Sequence, residues 1–76
     1  MLTFKPFRDW YDNQMDGSRK KRRLDFEAEC AVTPRTAQKI WNDRLPVKTD
    51  IIEKICAVYG LKVEEVIEYR KDDNHG

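Results

Sequence analysis

The chain is poor in the residues that build most catalytic and metal sites. Its 76 residues include one histidine, His75, and two cysteines, Cys30 and Cys56. There is no Cys-x-x-Cys, and without a second histidine or a cysteine cluster no zinc ligand set can be assembled, so no metal or other cofactor is expected. One bridge between the two cysteines would not amount to a disulfide framework, and buried thiols on helix faces are the expected form. The glycines form no phosphate-cradling loop and no nucleophile stands beside a base, which argues against an enzyme. No apolar run reaches membrane-spanning length. Residues 1–8 lack the apolar stretch and small-residue cleavage site of a secretory signal. The expectation is a cytoplasmic protein with no membrane partner and no small-molecule ligand.

What is present is charge and aromatic side chains. Hydrophobic residues make up 39% of the sequence and charged residues 38%, with three Phe, three Tyr and two Trp. That is polar but globular. A single domain over residues 1–70 is expected, followed by a frayed polar tail over 71–76. The net charge of +1 is uninformative, but its distribution is not. Residues 18–48 carry nine basic side chains against four acidic, between two net-acidic flanks. A basic middle of this kind suits a localised anion-binding face.

Periodicity points to about five short helices in a compact all-α bundle. From Pro6 to Met15, the residues Phe7, Trp10, Tyr11 and Gln14 recur at helical spacing, with Gly17 as a stop and Ser18 as the next N-cap. The segment Arg19–Cys30 is conflicted. Leu24, Phe26, Ala28, Cys30 and Val32 alternate as a strand would, yet the composition favours a helix and no neighbour reads as a partner strand. A helix is therefore expected. Thr33 and Pro34 open a third helix, ending near Asp43, whose inward residues are Ala37 and Ile40, with Trp41 in the core. The linker Arg44–Lys48 leaves the helix. Thr49 is expected to cap a fourth helix, with Glu53 in a capping box and Gly60 as its stop. A fifth helix is expected over Val63–Tyr69. On it, Glu64, Glu65 and Glu68 read as solvated side chains.

Two short helices joined by a tight turn, within Arg23–Asn42, meet the minimum for a helix-turn-helix. Phe26 and Cys30 face inward from the first, Ala31 and Val32 make the turn, and Ala37 and Ile40 face inward from the second. The stretch from Val32 to Ile40, then Leu45-Pro46, then Ile51 to Leu61, resembles the phage-repressor and Cro-like helix-turn-helix family over roughly residues 20–69. The Phe7-Arg8-Asp9-Trp10 stretch is similar to small regulators carried on bacterial mobile elements. Three positions depart from the family pattern. Ala31 stands in place of the turn glycine, Glu27 in place of an alanine, and Trp41-Asn42-Asp43-Arg44 in place of the usual close of the second helix.

The resemblance implies a lambda-repressor-like fold and places base-reading residues at the start and outer face of the third helix: Pro34, Arg35, Gln38, Lys39 and Asn42. The chemistry suits that role, since Arg pairs bidentately with guanine and Gln or Asn with adenine. Thr33, Thr36, Arg44 and Lys48 are placed to contact phosphate, and Arg19, Arg22 and Arg23 are candidates for the same work. The expected function is sequence-specific binding of double-stranded DNA by a small transcriptional regulator that dimerises on two half-sites. Two alternatives share the fold. One is a protein-interaction module or antitoxin-like adaptor that keeps the shape without using it on DNA. The other is a DNA-bending protein of excisionase type.

Overall fold

The computed structural model describes residues 1–71. It contains four helices: α1 (Lys5–Tyr11), α2 (Arg23–Cys30), α3 (Pro34–Trp41) and α4 (Thr49–Tyr59). Four two-residue strands accompany them: β1 (Leu2–Thr3), β2 (Met15–Asp16), β3 (Arg19–Lys20) and β4 (Glu68–Tyr69). The molecule is therefore helical but not strictly all-α, and among the described residues there are four α-helices, not five.

Both strand pairs correct the reading of the sequence. The first helix stops at Tyr11, and the chain then runs into β2, which pairs antiparallel with β3. Gly17 and Ser18 are the two-residue loop between Asp16 and Arg19 and are neither a helix stop nor a cap. Gly17 has φ 66°, and a positive φ at the first loop position suits a type II′ hairpin. Helix α2 consequently begins at Arg23, and Arg19–Lys20 is a strand. The expected fifth helix is replaced by a single 3-10 turn at Val63–Glu65, after which β4 pairs with β1 in the register Leu2↔Tyr69 and Thr3↔Glu68. The Arg70 N–H donates to the Met1 carbonyl, 69 residues away in sequence, at 2.7 Å. Local propensity carries no trace of such a pairing. Of the frayed tail expected over 71–76, residues 72–76 lie outside the described residues.

The core is aromatic and centres on Phe7, which is fully buried. Its ring lies 5.3 Å from Phe26, 5.6 Å from Tyr11, 5.8 Å from Tyr59 and 5.9 Å from Trp41, so all four helices meet on one side chain. Phe4, Cys30, Val32, Ala37, Ile40, Ile55 and Val66 complete the buried cluster. Cys30 is buried, as expected; Cys56 is only half-buried, and both are free thiols. Leu24 is exposed, which resolves the conflicted segment as a helix facing inward through Phe26 and Cys30.

Helices α2, α3 and α4 end in the same way. Each is closed by an N–H that reaches back over a left-handed residue: Val32 to Glu27 at 3.1 Å, Arg44 to Lys39 at 2.8 Å, and Leu61 to Cys56 at 3.1 Å. This is the six-to-one bond of the Schellman motif. The left-handed residues are Ala31 (φ 53°), Asp43 (φ 54°) and Gly60 (φ 67°). Only the last announces itself as a glycine. At the other end of α4 the N-cap is Lys48, with no side-chain cap, so Thr49 is the first helical residue and the expected capping box does not form.

A Cβ in the left-handed region costs roughly 1–2 kcal/mol, partly offset by the lower entropy of an alanine in the unfolded chain. Ala31 is exposed, so its methyl group contributes little burial. Ala31→Gly is expected to stabilise the fold by about 1 kcal/mol in urea unfolding. A loss of stability would show that the α2–α3 turn is not held in this conformation.

Candidate nucleic-acid interface

Helix α3 is positioned from both sides. At its start the Thr33 hydroxyl accepts the Thr36 N–H at 3.2 Å and donates to the Thr36 hydroxyl at 3.1 Å. Pro34 then occupies the first helical position, where its missing N–H costs nothing. Ala37 and Ile40 are fully buried, and Trp41 packs half-buried on Phe26 at 5.3 Å. With that face inward, helical geometry turns Arg35, Gln38 and Asn42 outward on one stripe, and all three are exposed.

The outward face is concave. Arg23, Pro34, Arg35, Gln38, Lys39 and Arg44 line a shallow depression of about 570 Å³. Four of these six side chains are cations and none is a carboxylate. A neighbouring depression of about 230 Å³ is lined by Thr36, Lys39, Pro46, Val47, Lys48 and Ile51. Lys39 borders both, and its ammonium donates to the Pro46 carbonyl at 3.4 Å. Of the twelve residues singled out in the sequence, eight thus line two adjoining hollows. Asn42 stands at the C-terminal end of α3, exposed but outside the hollows. Thr33 is committed to capping α3, and Thr36 retains the free hydroxyl proton. Glu27, the atypical acidic residue of α2, is largely covered and lies 3.9 Å from the Arg23 Nε.

Arg19 is not brought to this face. Its guanidinium spans both oxygens of Asp25 at 3.0 Å and reaches Asp16 at 3.0 Å. Asp25 lies two residues after Arg23, about 200° around α2, so Arg19 and the Arg23 side chain occupy opposite flanks of that helix. Arg19 and the Arg22 N–H together hold the Asp25 carboxyl well below the usual carboxylate range. Arg22 is exposed at the N-cap of α2, outside both hollows.

The sequence reading missed the group that fixes the far end of α3. The carboxylate of Asp43 accepts from the Thr3 hydroxyl at 2.8 Å, the Phe4 N–H at 2.8 Å and the Arg8 guanidinium at 2.6 Å. The same Arg8 nitrogen donates to the Ile40 carbonyl at 3.0 Å, closing one of the open acceptors at the end of α3. No local pattern signals this pair, because its partners are 35 residues apart.

The sequence model of the Cro/C1-type helix-turn-helix DNA-binding domain matches residues 15–72. The chain belongs to that family. Comparison with the curated proteins and with the solved structures gives no match. Helices α2 and α3 both lie within the matched span, and the basic hollows lie on the outward side of α3. Helix α1 and Arg8 fall outside the matched span, so the bracing of α3 comes from a segment that precedes it. No helix among the described residues is long and apolar enough to cross a membrane.

Burial alone would raise the Asp43 pKa, but the Arg8 guanidinium, the Phe4 N–H and the Thr3 hydroxyl outweigh it and bring it down to about 2. A carboxylate with a depressed pKa stabilises the fold above its unfolded value near 4 and loses that contribution as pH falls through about 2. Asp43→Asn is therefore expected to cost about 2 kcal/mol at pH 7. The gap from wild type should narrow as pH drops from 4 to 2 in denaturant titrations. A gap independent of pH would remove the ion pair from the account.

Proposed function

We propose that the protein is a sequence-specific regulator of transcription that binds double-stranded DNA in the cytoplasm as a homodimer. The observation that carries this reading is the hollow on α3, where four cations meet without a carboxylate on the outer side of the second helix of a helix-turn-helix. Helix α3 enters the major groove. Arg35, Gln38, Lys39 and Asn42 face base edges, with Pro34 against the groove floor at the helix start. Thr36, Arg23, Arg44 and Lys48 hold phosphates on either side and fix the register. One such helix reads only a few base pairs, and pairing two copies on half-sites one helical turn apart supplies the remaining specificity.

The alternative, a protein-interaction module, draws on a different surface. Ile52, Cys56 and Val63 line a depression of about 440 Å³ with Thr49, Asp50 and Glu53, and Val63 is exposed. That hollow is acidic and apolar and unsuited to DNA. It leaves the basic face unexplained, which is why DNA binding is preferred.

Selection of bound duplexes from a randomised pool tests the reading. A palindromic consensus with steep salt dependence is the expected result. Gln38→Ala should relax base preference at one position of that consensus by about 1–3 kcal/mol. Lys48→Ala should weaken binding to every sequence alike and lower the salt slope by about one. If no sequence is enriched and binding vanishes at physiological salt, the interaction module becomes the better account.

A further inference from the structure

The five consecutive cations Arg19–Arg23 do not share one environment. Arg19 pairs with Asp25 and Asp16, Lys21 with Glu29, and Arg23 lies near Glu27. Lys20 and Arg22 are exposed and have no ion pair among the described residues. The cause is backbone alternation. The chain runs extended from β3 into Arg22 (φ −124°, ψ 170°), so successive side chains point to opposite sides. Asp25 and Glu29 stand one turn apart on α2 and draw Arg19 and Lys21 to the helix. Lys20 and Arg22 are thereby turned away from it.

The segment carrying them is fixed. The Lys21 N–H donates to the Gln14 carbonyl at 3.1 Å, extending the β2–β3 ladder, and the Asp25 carboxylate accepts both the Arg19 guanidinium and the Arg22 N–H, the latter at 2.7 Å. The next residue, Arg23, lines the α3 hollow. Two cations without an ion pair among the described residues therefore stand on hydrogen-bonded backbone, Lys20 in β3 and Arg22 at the N-cap of α2, immediately before Arg23 of the basic face. Residues two apart on an extended chain are separated by about 7 Å, close to the spacing of neighbouring phosphates along one strand. No Asn or Gln lies on this edge to read bases.

We infer that the outward side of β3 and of the N-cap that follows it, Lys20 with Arg22, is a second DNA-contacting element that grips the phosphates flanking the base pairs met by α3. Arg19 and Lys21, in the same basic run, hold the hairpin on α2 and touch no DNA. The inference rests on the DNA-binding reading and extends it to a part of the fold that no base-reading argument reaches.

The test measures affinity against salt concentration on one selected duplex, for the wild type and three variants. Lys20→Ala combined with Arg22→Ala should reduce the slope of log affinity against log salt by about two, since each phosphate contact contributes roughly 0.9 on B-form DNA. The selected consensus should not change. The charge-keeping pair Lys20→Arg with Arg22→Lys should retain the wild-type slope. Arg19→Ala should lower the melting temperature while the folded protein keeps its slope. A wild-type slope in the doubly truncated variant would overturn the inference and leave α3 as the DNA-binding element. A wild type that binds no duplex would overturn both.

Discussion

The pairing of Arg8 with Asp43 is the constraint on which the arrangement of the basic face depends. Helix α3 is eight residues long and could not hold an orientation by itself. Its start is fixed by Thr33, its inner side by Ala37 and Ile40, and its end by a carboxylate that also ties down Thr3 and Phe4. Arg8 bridges that carboxylate and the last turn of α3, so hydrogen bonds tie the N-terminal strand and α1 to the end of α3. The pair is shielded, with each side chain about 20% exposed, and the charges are satisfied by further hydrogen bonds. Under those conditions a buried ion pair holds geometry at little net loss. Asp43 also occupies the left-handed position that turns the chain back toward Arg44, so one residue sets both the end of α3 and the entry of a basic side chain into the hollow.

Sequence pattern recovered what depends on local spacing. The aromatic stripe of α1, the Thr33-Pro34 start of α3, its inward pair Ala37 and Ile40, and the Gly60 stop are all one- or two-turn signals, and the structure has each of them. It did not recover what depends on distant partners. Strand β4 forms because β1 lies beside it, and strands of two residues carry no periodicity to detect. The β2–β3 hairpin was hidden for a different reason: Gly17 suits both a helix stop and a type II′ loop, and the composition of Arg19–Arg23 favours a helix. Ala31 and Asp43 conceal left-handed turns because the residue that usually marks them is absent.

The candidate site divides along the same line. Arg35, Gln38 and Asn42 were legible because a capped helix with a buried face must show its other face to solvent. Lys39 and Arg44 also fall on the basic hollows, and Thr36 and Lys48 border the second one. Arg19 lies apart from the hollows, and a basic run read as a helix gives no hint that alternate residues turn to opposite sides. Its partners Asp25 and Asp16 are visible in the sequence, but their pairing requires the hairpin.

The outward face of α3 is the surface proposed to meet DNA, and every role assigned to the hollow depends on it. The most direct measurement is a titration of the ¹⁵N-labelled protein with a selected duplex, following backbone amide and arginine side-chain resonances. The largest shifts should fall on residues 34–44 and on Arg23, with the α4 hollow around Ile52 and Val63 and the β1–β4 pair little changed. Shifts concentrated at Ile52, Cys56 and Val63, with α3 unmoved, would contradict it.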